Sequence, residues 1–272
     1  MSHVLNESFF RKKPVIGVIH LMPLPGSPGY SGDFEEVFER AFNDAKSYVE
    51  GGVDAIIIEN FGDKPFAIRV REAETLAAIS VISYAIKKEF NVPLGINVLR
   101  NSGVEALGIA HVVKADFIRV NSLCQVLTTP EGIIEPIARE LALKRKVLNE
   151  NTVKVFADVN VKHAAPLGKA DLEYVVKECE ERGLADAIIV TGERTGSETP
   201  IESVVKAKSA SHLPVIVGSG VNYSNIEKYW KYADGFIIGT YFKVEGKVDN
   251  PVDVERVRKL MEKVRRLRES SL

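Results

Sequence analysis

The chain has 272 residues, 45% hydrophobic and 27% charged, a soluble globular composition that suits one large α/β core or two smaller ones. Lys and Arg number 36 and Asp and Glu 37, so nothing global points to a nucleic-acid partner. The opening MSHVLNESFFRKKP has no apolar leader and no later run approaches the roughly 20 apolar residues of a membrane span, which makes the cytoplasm the expected location.

After a short extension (residues 1 to 13), PVIGVIH (14 to 20) reads as a buried strand ending in His20, followed by the loop LMPLPGSPGYSG. The helix signal is clearest in DFEEVFERAFNDAKSYVEGG, where Phe34, Val37, Phe38, Ala41, Phe42, Ala45, Tyr48 and Val49 form one stripe. Asp33 with Glu36 resembles a capping box there, and Gly51 reads as the stop just past the helix. DAIIIEN (54 to 60) is a second strand, ending in Glu59 and Asn60, and REAETLAAISVISYAIKKE a second helix. VPLGINV (92 to 98) carries Asn97, with Arg100 and Asn101 just beyond, before the helical SGVEALGIAHVVK. ADFIRVN (115 to 121) offers Arg119 and Asn121 and precedes the helical IIEPIARELALKRKVL. The fifth strand is VKVFADVNV (153 to 161), the sixth DAIIVTG (186 to 192) with Thr191, then Thr195 in GERTGSE. LPVIVGSG (213 to 220) and DGFIIGT (234 to 240) complete the strands, and DLEYVVKECEERG, IESVVKAKSAS and NIEKYWKY are helical. A charged helix at about 251 to 269 closes the chain.

Alternating strand and helix demands parallel pairing, and eight strands without a dividing linker predict a single (β/α)8 barrel; an open doubly wound sheet is the alternative. Chemistry in such a barrel sits where the strands end. On the fifth strand a period of two sends Val155, Ala157, Val159 and Val161 to the helix layer and Phe156, Asp158, Asn160 and Lys162 inward. His163 then has the wrong parity for the cavity. Asp158, on the face of Lys162, favours a charged lysine that holds an anion over one that forms a Schiff base, unless the two merely pair. His20 is a candidate acid, base or donor, while His111 and His212 read as structural. The glycines of Gly218, Ser219 and Gly220, and Gly239 with Thr240 at the next strand end, suit a phosphate or another anion, helped by the helix N-termini that follow. No other cofactor is expected. His20, Glu59, Asp158 and His163 lack any metal-binding spacing, so no metal site is expected.

Cys124 and Cys179 read as reduced structural thiols, and a single glutamine, Gln125, among abundant charges suggests a thermophilic source. The basic tail (Arg256, Arg258, Lys259, Lys263, Arg265, Arg266, Arg268) is interleaved with Glu255, Glu262 and Glu269 and reads as a solvated helix face covering the barrel bottom. NESFF and YWKYADG, if exposed, would suit a homo-oligomer.

The ordered blocks IGVIHLMPLPGSPGY, GGVDAIIIENFGDKPF, VPLGINVLRNSGVEALGIA, ADFIRVN, ADVNVKHAAPL, IIVTGERTG and VIVGSGVNYSNI with ADGFIIGTYFK resemble the BtpA/SgcQ family across nearly the whole chain. The resemblance implies a TIM barrel of the ribulose-phosphate-binding type, with a pocket at residues 59 to 60, 97 to 101, 119 to 121, 158 to 163, 191 to 196 and 218 to 220. The family's cyanobacterial namesake is a membrane-peripheral factor of photosystem I biogenesis, and SgcQ is linked with sugar uptake and metabolism. Two expectations follow. In the first the protein is an enzyme acting on a phosphorylated sugar or nucleoside derivative. Asp158 and Glu59 would then be acid/base groups, Lys162 and Arg119 would stabilise negative charge, and Asn97, Asn121 and Asn160 would orient hydroxyls. In the second it is a non-catalytic, membrane-peripheral assembly factor.

Overall fold

The computed structural model describes residues 5–168 and 171–270. The chain runs α1 (Glu7–Arg11), β1 (Val15–His20), α2 (Phe34–Gly51), β2 (Ala55–Glu59), α3 (Ala73–Glu89), β3 (Leu94–Asn97), α4 (Gly103–Val113) and β4 (Phe117–Val120). It continues through β5 (Leu127–Thr129), β6 (Gly132–Ile134), α5 (Ala138–Leu148), β7 (Lys154–Asn160), β8 (Ala165–Pro166), α6 (Leu172–Glu181) and β9 (Ala187–Val190). The last elements are α7 (Ile201–Ala210), β10 (Val215–Val217), α8 (Ile226–Trp230), β11 (Gly235–Ile238), two short 3-10 turns and α9 (Val254–Glu269).

Eight strands pair in parallel in the order β1-β2-β3-β4-β7-β9-β10-β11, and β11 pairs back onto β1 (Val15 with Phe236). That closure makes the sheet a TIM barrel and removes the open-sheet alternative. Because both faces of each strand are covered, the strands are apolar throughout their lower parts. Ile16, Val18, Ile57, Phe117, Phe156, Ile189, Ile216 and Ile237 fill the interior, with the Phe117 and Phe156 rings stacked at 4.5 Å. A second, larger core lies between barrel and helices.

Several local expectations change. Ile133 and Ile134 belong not to a helix but to β6, which pairs with β5, and β5 pairs with β8, in a small antiparallel sheet beside the barrel. Leu127, Ile134 and Val161 bury together there, so the apolar residues answer to a private cluster and the helix begins only at Ala138. Asp33 does cap α2, accepting from the Glu36 N–H at 3.1 Å, but the left-handed stop is Gly52 at φ 86°. Gly51 is still helical, and a Cβ there would lie 2.3 Å from Val257 of α9. That close approach puts α9 beside α2 as an outer helix, and not across the barrel bottom. The bottom is plugged instead by α1, whose Phe9 is buried and whose Phe10 meets Phe156 at 5.9 Å. Phe9, Tyr229 and Trp230 are buried within the chain, so the aromatic argument for an oligomer is lost. Among the described residues no helix is long and apolar enough to cross a membrane.

Candidate functional site

One stride of two residues above the apolar layer, the inward positions become charged. Arg119 on β4 donates from Nε to Asp158 on β7 (3.0 Å), from Nη2 to the same carboxylate (3.0 Å) and from Nη1 to Glu59 on β2 (2.9 Å). Asn97 on β3 donates to Glu59 at 3.0 Å, and Asn121 donates to Asp158 at 2.7 Å. Burial opposes the Arg119 cation, but Asp158 and then Glu59 outweigh it and raise its pKa further. Burial likewise opposes the Glu59 charge, yet Arg119, with His20, Lys162 and Asn97, holds its carboxyl below the usual range. Each guanidinium nitrogen of Arg119 makes at least one of these bonds, so the side chain fixes two carboxylates in place.

The alternative in which Asp158 and Lys162 merely pair with each other does not occur, because Arg119 takes the Asp158 carboxylate. The Lys162 ammonium makes no ion pair among the described residues. Burial, and then Arg119, push its pKa down to about 8. His20 is pushed down to about 3 by burial first and Lys243 next, so its ring is neutral at physiological pH. Its Nδ1 has no hydrogen-bond partner among the described residues, and the ring lies against Phe61 at 4.7 Å. A Cβ on Gly239 would sit 2.7 Å from His20 Cε1, so glycine there is what lets the ring occupy the barrel mouth.

Two chambers meet at this cluster. The first, about 240 Å³, is walled by Gly218 to Asn222, Gly239, Thr240, Thr195, Tyr241 and Arg256. The second, about 340 Å³, is walled by Phe61, Pro65, Phe66, Leu99, Arg100, Asn121, Pro130, Glu131, Val161 and His163. His20, Glu59, Arg119, Lys162 and Thr195 line both. Among the described residues no group of three His, Cys, Asp or Glu side chains is placed to hold a metal ion.

Of the residues picked from the sequence, three lie elsewhere. Asn160 is exposed and donates to the Thr191 carbonyl at 3.1 Å, while the Thr191 hydroxyl donates back to the Asn160 carbonyl. The two tie β7 to β9. Asn60 accepts from the Leu99 N–H at 2.7 Å and donates to Asp63 at 2.8 Å, holding the loops beside the site. The alternation holds through Asp158 and fails at Asn160 and His163, because the β7–β9 register shifts between Asp158 and Asn160, the strand stops there, and His163 turns at φ 53°. Lys162 and His163 consequently both reach the cavity.

The phosphate wall also differs from expectation. The helix after β10 has five residues and a three-residue 3-10 turn follows β11, too short to concentrate a helix dipole. Positive charge comes from Arg256, whose Nε donates to the Tyr241 carbonyl at 2.6 Å and whose guanidinium stacks on that ring at 4.7 Å. In the sequence Arg256 was one of seven basic residues in the tail, with no mark to separate it. Ser219 Oγ accepts from the Gly192 N–H at 2.6 Å, so this hydroxyl braces the turn after β9 as well as facing the chamber. Arg100, whose pKa is lowered by burial, donates to the Lys162 carbonyl at 2.9 Å and lies 3.4 Å from Glu131.

Residues 11–266 match the BtpA family. An uncharacterized protein of the archaeon Thermococcus kodakarensis is 51% identical, covering 97% of this chain and 99% of the relative. Many of the relatives come from thermophilic archaea. The photosystem I biogenesis protein BtpA of the cyanobacterium Synechocystis is 41% identical over 95% of this chain and 90% of its own. Among solved structures, the geranylgeranylglyceryl phosphate synthase of Thermoplasma acidophilum, bound to sn-glycerol-1-phosphate, shares the fold with a TM-score of 0.61 at 17% identity, covering 98% of this chain and 100% of that one. Matched over nearly its whole length, the chain belongs to the BtpA family.

Proposed function

We propose that the protein is an enzyme that binds a phosphorylated small molecule and moves a proton at the barrel mouth. The observation that carries this is the Lys162 ammonium at the junction of the two chambers, outside any ion pair among the described residues, beside two carboxylates that hydrogen-bond to Arg119 instead. The phosphate would rest against Gly218, Ser219, Gly220, Gly239 and Thr240, with Arg256 as its counter-charge. A lysine with a pKa near 8 is mostly protonated at pH 7, yet about one molecule in ten carries the free amine, so it can give or take a proton without a large penalty either way. Neutral His20 offers a hydrogen bond to the same region, and Glu59 stays ionised as an acceptor. Asp158 and Arg119 act through Lys162 and Glu59 by holding the local charge; they are positioning residues.

Thermal-shift titration with phosphosugars and nucleotides tests the proposal. At least one phosphate ester should raise the melting temperature, and Arg256→Ala and Lys162→Ala should reduce that rise. The second reading, a non-catalytic assembly factor, is favoured by the name of the Synechocystis relative. It becomes the better account if no phosphate ester shifts the melting curve and both variants keep full function in a host.

A further inference from the structure

The first chamber is polar and glycine-walled, but the second is not: Phe61, Pro65, Phe66, Leu99, Pro130 and Val161 give it an apolar floor and sides. A phosphosugar alone would leave that surface wet. Phe61 and Phe66 face each other obliquely, with centroids 6.5 Å apart and planes at 56°, and Leu99 and Val161 are buried beside the opening. One polar atom interrupts the apolar wall without a hydrogen-bond partner among the described residues, Asn121 Oδ1, and that side chain is more than nine-tenths buried; Arg100 Nε beside it faces Glu131 at 3.4 Å. A buried group of that kind ordinarily finds a partner, so its presence here points to a ligand that presents a hydrogen-bond donor on its edge. We propose that the substrate is bipartite: a phosphate ester whose sugar or short linker carries a flat aromatic or heteroaromatic group, the phosphate in the first chamber and the ring in the second, against the wall of Phe66 and Leu99.

This rests on the phosphate-ester reading above and adds a constraint to it. Lys162, Glu59 and His20 line both chambers, so the reacting atoms are those of the linker, between phosphate and ring, and the ring itself serves recognition. The second chamber, about 340 Å³, falls within the roughly 300–1,000 Å³ of small-molecule sites, and the first, about 240 Å³, opens onto it at the shared residues.

The test compares ribose 5-phosphate with the nucleoside 5′-monophosphates as probes, by calorimetry on the full chain. Stacking and apolar burial should make at least one nucleotide bind at least tenfold more tightly than ribose 5-phosphate, and Phe66→Ala should collapse that ratio toward one. Phe61→Leu, which keeps apolar volume beside His20, should reduce the ratio less. Equal affinities in the wild-type protein, or a ratio indifferent to Phe66→Ala, would overturn the bipartite substrate and leave the phosphate-ester enzyme standing. Failure of both probes, together with every other phosphate ester, would overturn the enzyme reading itself.

Discussion

Two layers of the same barrel differ by one stride along the same strands. Val18, Ile57, Gly95, Phe117 and Phe156 form a dry lower plug, and two residues further on their successors are His20, Glu59, Asn97, Arg119 and Asp158. The distance between the layers is about 6.6 Å, with identical backbone and identical inward parity. Below, stability comes from excluding water. Above, a network of buried charge survives because one guanidinium satisfies two carboxylates, and burial disfavours the charged forms of the groups left over, Lys162 and His20. The lower layer holds the barrel and the upper layer is strained toward chemistry, so substitutions in the two should part company.

The largest separation is expected at Arg119. Arg119→Leu leaves Glu59 and Asp158 buried without a cation and should lower stability by about 3–5 kcal/mol, with loss of ligand binding. Phe156→Ala in the lower layer should lower stability by about as much, through a cavity, while the folded fraction still binds. Denaturant melts paired with binding on the folded fraction check both, and an Arg119→Leu protein that melts like the wild type would break the comparison.

His20 follows. Its folded pKa, about 3, lies below the unfolded value of 6.5, so as pH falls through 6.5 the unfolded chain takes up a proton the folded chain refuses. Stability is then lost from about pH 6.5 toward pH 3. Discounted for partial exposure, this should reach about 2 kcal/mol at pH 4. His20→Asn should narrow the gap in melting temperature between pH 7 and pH 4, and an unchanged gap would show that His20 titrates normally. Lys162 behaves with the opposite window. Below pH 8 both states are protonated and the folded state bears the full strain; between about 8 and 10.5 the folded state sheds its proton first and stability rises. Lys162→Met should therefore be more stable than the wild type by about 1 kcal/mol at pH 7, an advantage that fades by pH 10, while losing turnover.

The elements themselves were readable because burial on both faces leaves an apolar, β-branched signature, and because strand–helix alternation admits few topologies. Glu59, Arg119, Lys162 and the glycines at 218, 220 and 239 were found at strand ends for the same reason. What stayed hidden depended on contacts between distant segments. Ile133 and Ile134 looked helical because the cluster that buries Ile134 against Leu127 is completed by Val161, which is remote in sequence. Arg256 was indistinguishable from its basic neighbours until Tyr241 fixed it, and Phe61 and Phe66 sat in a loop with no periodicity to interpret.

The smallest effect is the sharpest test of how the fifth barrel strand ends. Period-two alternation treats Asp158, Asn160 and Lys162 alike, whereas the register shift after Asp158 separates them: Asp158 is 1% exposed and bonded to Arg119, and Asn160 is turned outward onto Thr191. Asn160→Ala removes one partly exposed hydrogen bond, so it should lower stability by about 0.5–1.5 kcal/mol and leave phosphate-ester affinity at the wild-type value. Asp158→Asn, two residues earlier, should weaken binding, because it removes one of the two carboxylates that hold the Arg119 guanidinium in place. Calorimetric titration of both variants decides it. A tenfold loss of affinity in Asn160→Ala would mean that the bound state restores the alternation through residue 160, drawing the asparagine into the cavity with its two neighbours.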